Sequence, residues 1–167
     1  IAHKTDVGGV KLNLYGAGEV RQAYEEIIAG AQKVVPAARI EGVTVSPMAE
    51  PGGLEVIIGV IRDPQYGHAL MFGLGGIFTE IYRDVQFCLL PAADREFLKM
   101  IRSIKGYPLL AGVRGQKARD EKALVAIMKS LSRLVRKNPG LEQIDLNPVL
   151  VYEKGAVAVD FRLYGTI

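Results

Sequence analysis

The segment QIDLNPVLVYEKGAVAVDFRL, residues 143–163, contains the alternation that decides the fold. Apolar residues recur at about every second position on both sides of Glu153-Lys154-Gly155, whose composition is typical of a tight turn. We therefore predict a hairpin whose strands are Gln143 to Tyr152 and Ala156 to Leu163.

Further strands and helices are interleaved along the rest of the chain, which indicates an α+β or α/β fold. Strand-like alternation or apolar runs occur at Val10–Leu14, Arg39–Met48, Leu54–Arg62, Ala69–Phe72 and Glu80–Leu90. Apolar stripes with helical spacing run from Val20 to Ala31, from Phe97 to Ile104 and from Leu124 to Val135. We expect these helices to end before Pro36, at Gly106-Tyr107-Pro108 and at Asn138-Pro139-Gly140.

Composition excludes several classes of protein. The 167 residues, 49% of them hydrophobic, fit one globular domain, and no run of about 18 apolar residues predicts a membrane span. A net charge of +3 with mixed signs is not typical of nucleic-acid binding. The single cysteine, Cys88, and a start without a secretory signal predict the cytoplasm.

Three oxygen-bearing side chains converge in the predicted hairpin. Asp145 and Asn147 are two residues apart and therefore share a face of their strand. A tight turn at Glu153-Lys154 would place Asp160 opposite Asn147, although other registers shift this pairing by two residues. Carboxylate and amide oxygens suit Mg²⁺ that also binds phosphate. The same residues fit a simple turn with an exposed acid at a strand end, and the local pattern does not decide.

Two other features admit a functional and a structural interpretation. Gly73-Leu74-Gly75-Gly76 after a strand could let backbone N–H groups approach an anion, or could be a bulge. His3, in a polar glycine-rich stretch, could accept a phosphoryl group or could be an ordinary loop histidine. Neither a P-loop nor a dinucleotide fingerprint occurs.

Taken together and in order, seven motifs resemble the ATP-grasp subunit of ADP-forming acyl-CoA synthetases, which are relatives of succinyl-CoA synthetase. This resemblance covers nearly the whole chain. It implies an α+β ATP-grasp fold with a mixed or antiparallel sheet and packed helices. The motifs are HKTDVGGV (3–10), GLEVIIGV (53–60), RDP (62–64), MFGLGGIF (71–78), KGYPLL (105–110), DLNP (145–148) and VYEKGAVAVD (151–160).

The resemblance also implies a role for each candidate site residue. Asn147 and Asp160 would bind Mg²⁺ on the phosphates of ATP or ADP, Asp145 would orient a phosphohistidine from the partner, and His3 would relay phosphate. The nucleotide-binding positions would be Ser46 and Met48 at adenine, Glu55 in the pocket, and Gly75 and Gly76 at the phosphates. Arg62 and Arg114 are further candidates for phosphate binding.

The implied reaction interconverts acyl-CoA, ADP and phosphate with a carboxylic acid, ATP and CoA. A CoA-binding alpha subunit or fused CoA-binding domain would hold CoA and acyl-CoA, which predicts a hetero-oligomer. Residues 1–167 would form one nucleotide-binding domain that lacks its N-terminal segment, because the family's domain begins upstream of Ile1. We expect this chain to be inactive when isolated.

Two alternatives belong to other functional classes. A similar domain serves as a regulatory unit in protein lysine acetyltransferases, and the four residues His3, Asp145, Asn147 and Asp160 argue against that assignment. A non-enzymatic interaction domain would follow from the turn interpretation of Asn147-Pro148 and the bulge interpretation of the glycines.

Overall fold

The computed structural model describes residues 8–76, 84–113 and 115–166. The chain divides into two compact units, Ile1–Ala49 and Glu50–Ile167. None of the helices in the described ranges combines the length and apolarity that crossing a membrane requires.

The first unit contains helix α1, Ala17–Val34, as the apolar spacing predicts. Glu19 lies in its first turn and accepts a 2.6 Å hydrogen bond from the backbone N–H of Tyr15. The strands predicted at Val10–Leu14 and Arg39–Met48 are wrong, because neither segment forms a ladder with any described residue. Alternating residues make a strand only where a neighbouring strand supplies hydrogen-bond partners.

The described residues of the second unit form a six-stranded sheet in which the strand pairs are all antiparallel, with helices packed on it. The strand order across the sheet is β3-β2-β1-β4-β5. Strand β6 also pairs with β4, along the part of β4 that β5 does not cover. This arrangement confirms the predicted α+β fold. The strands are β1 (Leu54–Asp63), β2 (Gly67–Leu74), β3 (Val85–Leu89), β4 (Leu141–Val151), β5 (Ala156–Ala158) and β6 (Phe161–Gly165).

The described part of the second unit contains three helices: α2 (Asp94–Ser103), α3 (Tyr107–Ala111) and α4 (Glu121–Lys137). Helices α2 and α4 match the predicted apolar stripes. Pro108 lies in the first turn of α3 instead of ending the preceding helix, because proline there gives up only an N–H that has no partner in the helix.

The core lies between the helices and one face of the sheet. Alternate residues of β1 and β2, such as Val56, Ile58 and Phe72, are fully buried against α2 and α4. The opposite face carries Glu55, Ile57 and Gly59 on β1, because side chains alternate along a strand. We call this second face the site face.

Candidate functional site

Strand β4 changes the direction of its side chains at Asn147. Val56 of β1 pairs with Val149, but Ile58 pairs with Leu146, so Asn147 and Pro148 together stand opposite one residue of β1. Such a bulge inserts one residue and reverses the alternation. Ile144 is buried on the core face before the bulge, and Val149 is buried there after it.

The segment after β5 also departs from regular strand structure, at Val159 and Asp160, directly beside the bulge of β4. The Asn147 backbone N–H donates a hydrogen bond to the Asp160 carbonyl at 3.3 Å, and the Val159 N–H donates to the Pro148 carbonyl at 2.9 Å. Asn147 therefore stands directly opposite Asp160, in the register that the tight turn predicts. The predicted second strand of the hairpin is, however, interrupted here and divides into β5 and β6.

Asp145 lies beside this pair on the site face, opposite Arg162 of β6. Burial raises the pKa of the half-buried Asp145 carboxyl; the positive charge of Arg162 opposes this increase and the negative charge of Asp160 adds to it. Both charges are thus close enough to act on Asp145. A half-buried carboxyl with a perturbed pKa beside other charges is typical of a functional site.

Asn147 and Asp160 fit the oxygen chemistry of Mg²⁺. Asn147 is exposed and Asp160 half-buried, so both remain accessible. Two protein oxygens leave most of the coordination sphere of Mg²⁺ to water and phosphate oxygens, which is the usual arrangement for nucleotide-bound Mg²⁺. No group of three or more His, Cys, Asp and Glu side chains in the described ranges could hold a metal ion.

The structure also brings Glu55, Gly75 and Gly76 together. The Gly75 N–H donates to the Glu55 carbonyl at 2.8 Å, and a Cβ on Gly75 would lie 2.9 Å from the Glu55 Cβ. Only glycine fits such an approach of two backbones. Glu55 shares the site face with Ile57, the residue opposite the bulge, about 7 Å away along β1.

The remaining predicted site residues lie elsewhere. Ser46 and Met48 belong to the first unit, outside any strand, and both are exposed. His3 and Arg114 lie outside the described residues. Arg62 is exposed on β1.

The sequence patterns did not single out two residues that the structure places in defined surroundings, Arg162 and Asp84. Arg162 was missed because only the register of β6 reveals that it faces Asp145. Asp84 was missed because nothing local distinguishes it from a surface acid. It is 6% exposed and accepts hydrogen bonds from the backbone N–H groups of Lys105 and Gly106 at 2.8 and 2.7 Å.

A recess of about 240 Å³ at another part of the second unit contains none of the predicted site residues. His68 lines it and contacts the Leu141 carbonyl through its Nε2 at 2.8 Å. This contact gives His68 a structural role on strand β2.

Comparisons with known proteins agree with the geometry. The model of the ATP-grasp domain family matches residues 1–164. The beta subunit of acetate–CoA ligase [ADP-forming] I from Pyrococcus furiosus is 47% identical over 163 residues, which are 98% of this chain and 70% of that subunit.

Two solved structures of a dinucleotide-forming acetyl-coenzyme A synthetase 1 from Ca. Korarchaeum cryptofilum are also similar. One, in complex with coenzyme A and Ca-AMPCP, superposes with a TM-score of 0.91 at 42% identity, covering 99% of this chain and 72% of that chain. The other contains coenzyme A and Mg-AMPPCP, with its phosphohistidine segment pointing towards the nucleotide-binding site. Its TM-score is 0.80 at 39% identity, covering 99% and 71% of the two chains.

These relatives are synthetases, which favours the ligase prediction over the acetyltransferase alternative. The matched model, the identity and the fold agree over nearly the whole sequence. The chain therefore belongs to the ATP-grasp family, in the group that contains the beta subunits of ADP-forming acetate–CoA ligases.

Proposed function

We propose that this chain is the Mg-nucleotide-binding part of an ADP-forming acyl-CoA synthetase. The enzyme would interconvert acyl-CoA, ADP and phosphate with a carboxylic acid, ATP and CoA. The observation that carries the proposal is the matched bulge, which sets Asn147 opposite Asp160 next to the half-buried Asp145.

Asn147 and Asp160 would hold Mg²⁺ against the nucleotide phosphates. The ion neutralises phosphate charge, which is most of what phosphoryl transfer requires from an enzyme. Glu55, Gly75 and Gly76 would line the pocket at the phosphates. The Gly75 N–H already donates to the Glu55 carbonyl, so the exposed Gly76 is the glycine whose backbone an anion could approach. The assignment of Ser46 and Met48 to adenine stays a prediction from the sequence.

Asp145 would orient a histidine that carries the phosphoryl group. A carboxylate that accepts an imidazole N–H fixes the orientation of the ring and the nitrogen that bears phosphate. The phosphohistidine segment that points towards the nucleotide site in the Ca. Korarchaeum cryptofilum synthetase supports this role. His3 would relay phosphate, a role that stays a prediction from the sequence.

The partner would be a CoA-binding alpha subunit or a fused CoA-binding domain, which would bind CoA and acyl-CoA. The Pyrococcus furiosus relative is itself a beta subunit, which supports a hetero-oligomer. A cytoplasmic location, and the assignment of residues 1–167 to one nucleotide-binding domain, also stay predictions.

The test combines the protein and its CoA-binding partner with acetyl-CoA, ADP, phosphate and Mg²⁺. We expect ATP to form, and its absence with every acyl-CoA tried would overturn the proposal. The metal assignment is tested separately by Asn147→Ala with Asp160→Ala, which should weaken Mg²⁺-dependent ADP binding more than about tenfold, because two ligands are lost.

A matched control is Glu142→Ala with Gln143→Ala. It also removes one acid and one amide from exposed positions of β4, but away from the bulge. Its ADP affinity should equal that of the unmodified protein. Unchanged Mg²⁺-dependent binding in the Asn147 and Asp160 variant would refute these two residues as metal ligands.

A further inference from the structure

Arg162 occupies a defined place on the site face. Along one row of the sheet, the register pairs Met71 with Gly59, Gly59 with Asp145, and Asp145 with Arg162. Directly opposite residues of an antiparallel pair share a face, with their Cβ atoms about 5 Å apart. Asp145 is therefore flanked by Arg162 on one side and by a residue without a side chain on the other.

The guanidinium of Arg162 has unused donors among the residues that the structure describes. It is half-buried, and within residues 8–76, 84–113 and 115–166 it forms neither a hydrogen bond nor an ion pair, including with Asp145. It stands directly opposite Asp145 across the β4–β6 pair, so it lies on the site face next to that carboxylate. A guanidinium has five N–H donors in a planar fork that matches two oxygens of a phosphoryl group.

Arg162 is the cationic side chain that the register places beside Asp145. Mg²⁺ held by Asn147 and Asp160 would bring the phosphate oxygens of the nucleotide to this part of the site face. Arg162 stands directly opposite Asp145 there, and its positive charge complements a phosphoryl group.

We propose that Arg162 binds the phosphoryl group that moves between the histidine and the nucleotide. This inference rests on the proposed function and adds a residue to it. In the ATP-forming direction, a terminal phosphate oxygen of ADP attacks phosphorus and the P–N bond breaks. The electron pair stays on the imidazole nitrogen, which takes up a proton from water. Arg162 would hold two peripheral oxygens throughout and stabilise their charge.

The test uses the protein with its CoA-binding partner and the variants Arg162→Gln and Arg162→Lys. For Arg162→Gln we expect affinity for Mg-ADP within about threefold of the unmodified protein, but affinity for Mg-AMPPCP about 10- to 100-fold lower, because only the triphosphate offers the oxygens that Arg162 binds. ATP formation should fall by at least as much, with the KM for acyl-CoA unchanged. Lysine keeps the charge without the fork and should give an intermediate loss.

The matched control is Arg133→Gln, an exposed arginine on α4 that donates a hydrogen bond to the Ser130 hydroxyl at 3.3 Å. It should bind both nucleotides normally. Arg162→Gln with unchanged AMPPCP affinity would overturn the inference while leaving the proposed function in place, even if turnover fell. Equal loss of ADP and AMPPCP binding together with a lower melting temperature would overturn it in favour of a structural role. Failure of the unmodified protein to bind Mg-ADP or to form ATP would instead overturn the proposed function, and the inference with it.

Discussion

Among single residues, Asp84 holds two backbone N–H groups that lie more than 20 residues away in the sequence. Its two carboxylate oxygens accept separate hydrogen bonds from Lys105 and Gly106, so one side chain ties the α2–α3 junction to the start of β3. Burying a carboxylate removes its hydrogen bonds to water, which costs free energy. Hydrogen bonds from the protein must compensate for that loss. Asp84 therefore stabilises the sheet edge next to Gly73, one strand away from Glu55.

We expect Asp84→Asn to lower the free energy of unfolding by about 1–3 kcal/mol, because the amide NH₂ cannot accept a hydrogen bond and leaves one part-buried backbone N–H without its acceptor. Urea unfolding at neutral pH measures this difference.

Asp63→Asn is the matched control for that substitution. Asp63 also accepts two backbone N–H groups, from Gln65 and Tyr66, but both bonds go to the same oxygen, Oδ1. Asparagine can supply that oxygen, so stability should change by less than about 0.5 kcal/mol. Equal losses in the two variants would contradict the role given to Asp84.

Among the elements, α4 is fixed at its N-terminus to the turn between β4 and β5. The N-cap residue Asp120 accepts a hydrogen bond from the Ala123 N–H at 3.0 Å through one oxygen, and from the Gly155 N–H at 2.8 Å through the other. Its own N–H donates to the Tyr152 carbonyl at 2.8 Å. The helix thus holds the turn that sets the register of Asn147 and Asp160.

This link predicts a pH dependence. The hydrogen bond from Gly155, followed by that from Ala123, lowers the pKa of Asp120 below its ordinary 3.8. The ionised carboxylate therefore stabilises the fold above about pH 3.8, and this contribution is lost as pH falls through the lowered pKa. Asp120→Asn keeps the cap acceptor but loses the Gly155 bond, so it should cost about 1 kcal/mol at pH 7 and progressively less in acid.

Urea unfolding of both proteins between pH 7 and about pH 2.5 tests this dependence. The exposed Glu142→Gln on β4 serves as the control, with no expected change in stability at pH 7. A difference between Asp120→Asn and the unmodified protein that does not shrink in acid would show that the Asp120 charge is unimportant.

The helices were predictable from the sequence because their apolar stripes and end signals are local. Phe97 and Met100, or Leu124 and Met128, share a buried face through spacing alone. Strands depend on partners elsewhere in the chain, so Val10–Leu14 has the alternation of a strand without the ladder. The hairpin turn and the Asn147–Asp160 register were predictable, whereas the bulge that interrupts the second strand was not.

At the scale of the whole molecule, the second unit carries its own core. Every member of the main buried cluster, from Val56 to Val151, lies within Glu50–Ile167. Stability of a domain depends chiefly on such burial, which indicates that this unit can fold by itself.

We expect residues 50–167, produced alone, to unfold cooperatively in urea with coincident transitions by far-UV circular dichroism and tyrosine fluorescence. Residues 1–167 provide the comparison. A disordered or non-cooperative 50–167 polypeptide, beside a cooperative 1–167, would show that Ile1–Ala49 contributes essential core contacts.

The candidate site was predictable only in part, because some of its contacts depend on the order of the strands in the whole sheet. Asp145, Asn147 and Asp160 are close in sequence and share one hairpin, so their proximity follows from a turn. Glu55 and Gly75 meet because β1 and β2 pair, and Arg162 reaches Asp145 through the register of β6. Such contacts depend on strand order, which no local pattern contains.

The bend at Val159 and Asp160 also protects the protein from unwanted association. Together β5 and β6 form one edge of the described sheet, and exposed apolar side chains there include Val157 and Phe161, 43% and 66% exposed. A continuous strand with such residues would be a template on which another chain could add a strand. The bend divides that edge into pieces of three and five residues, each short for stable strand addition. The backbone irregularity that brings Asp160 to Asn147 thereby also limits self-assembly along this edge.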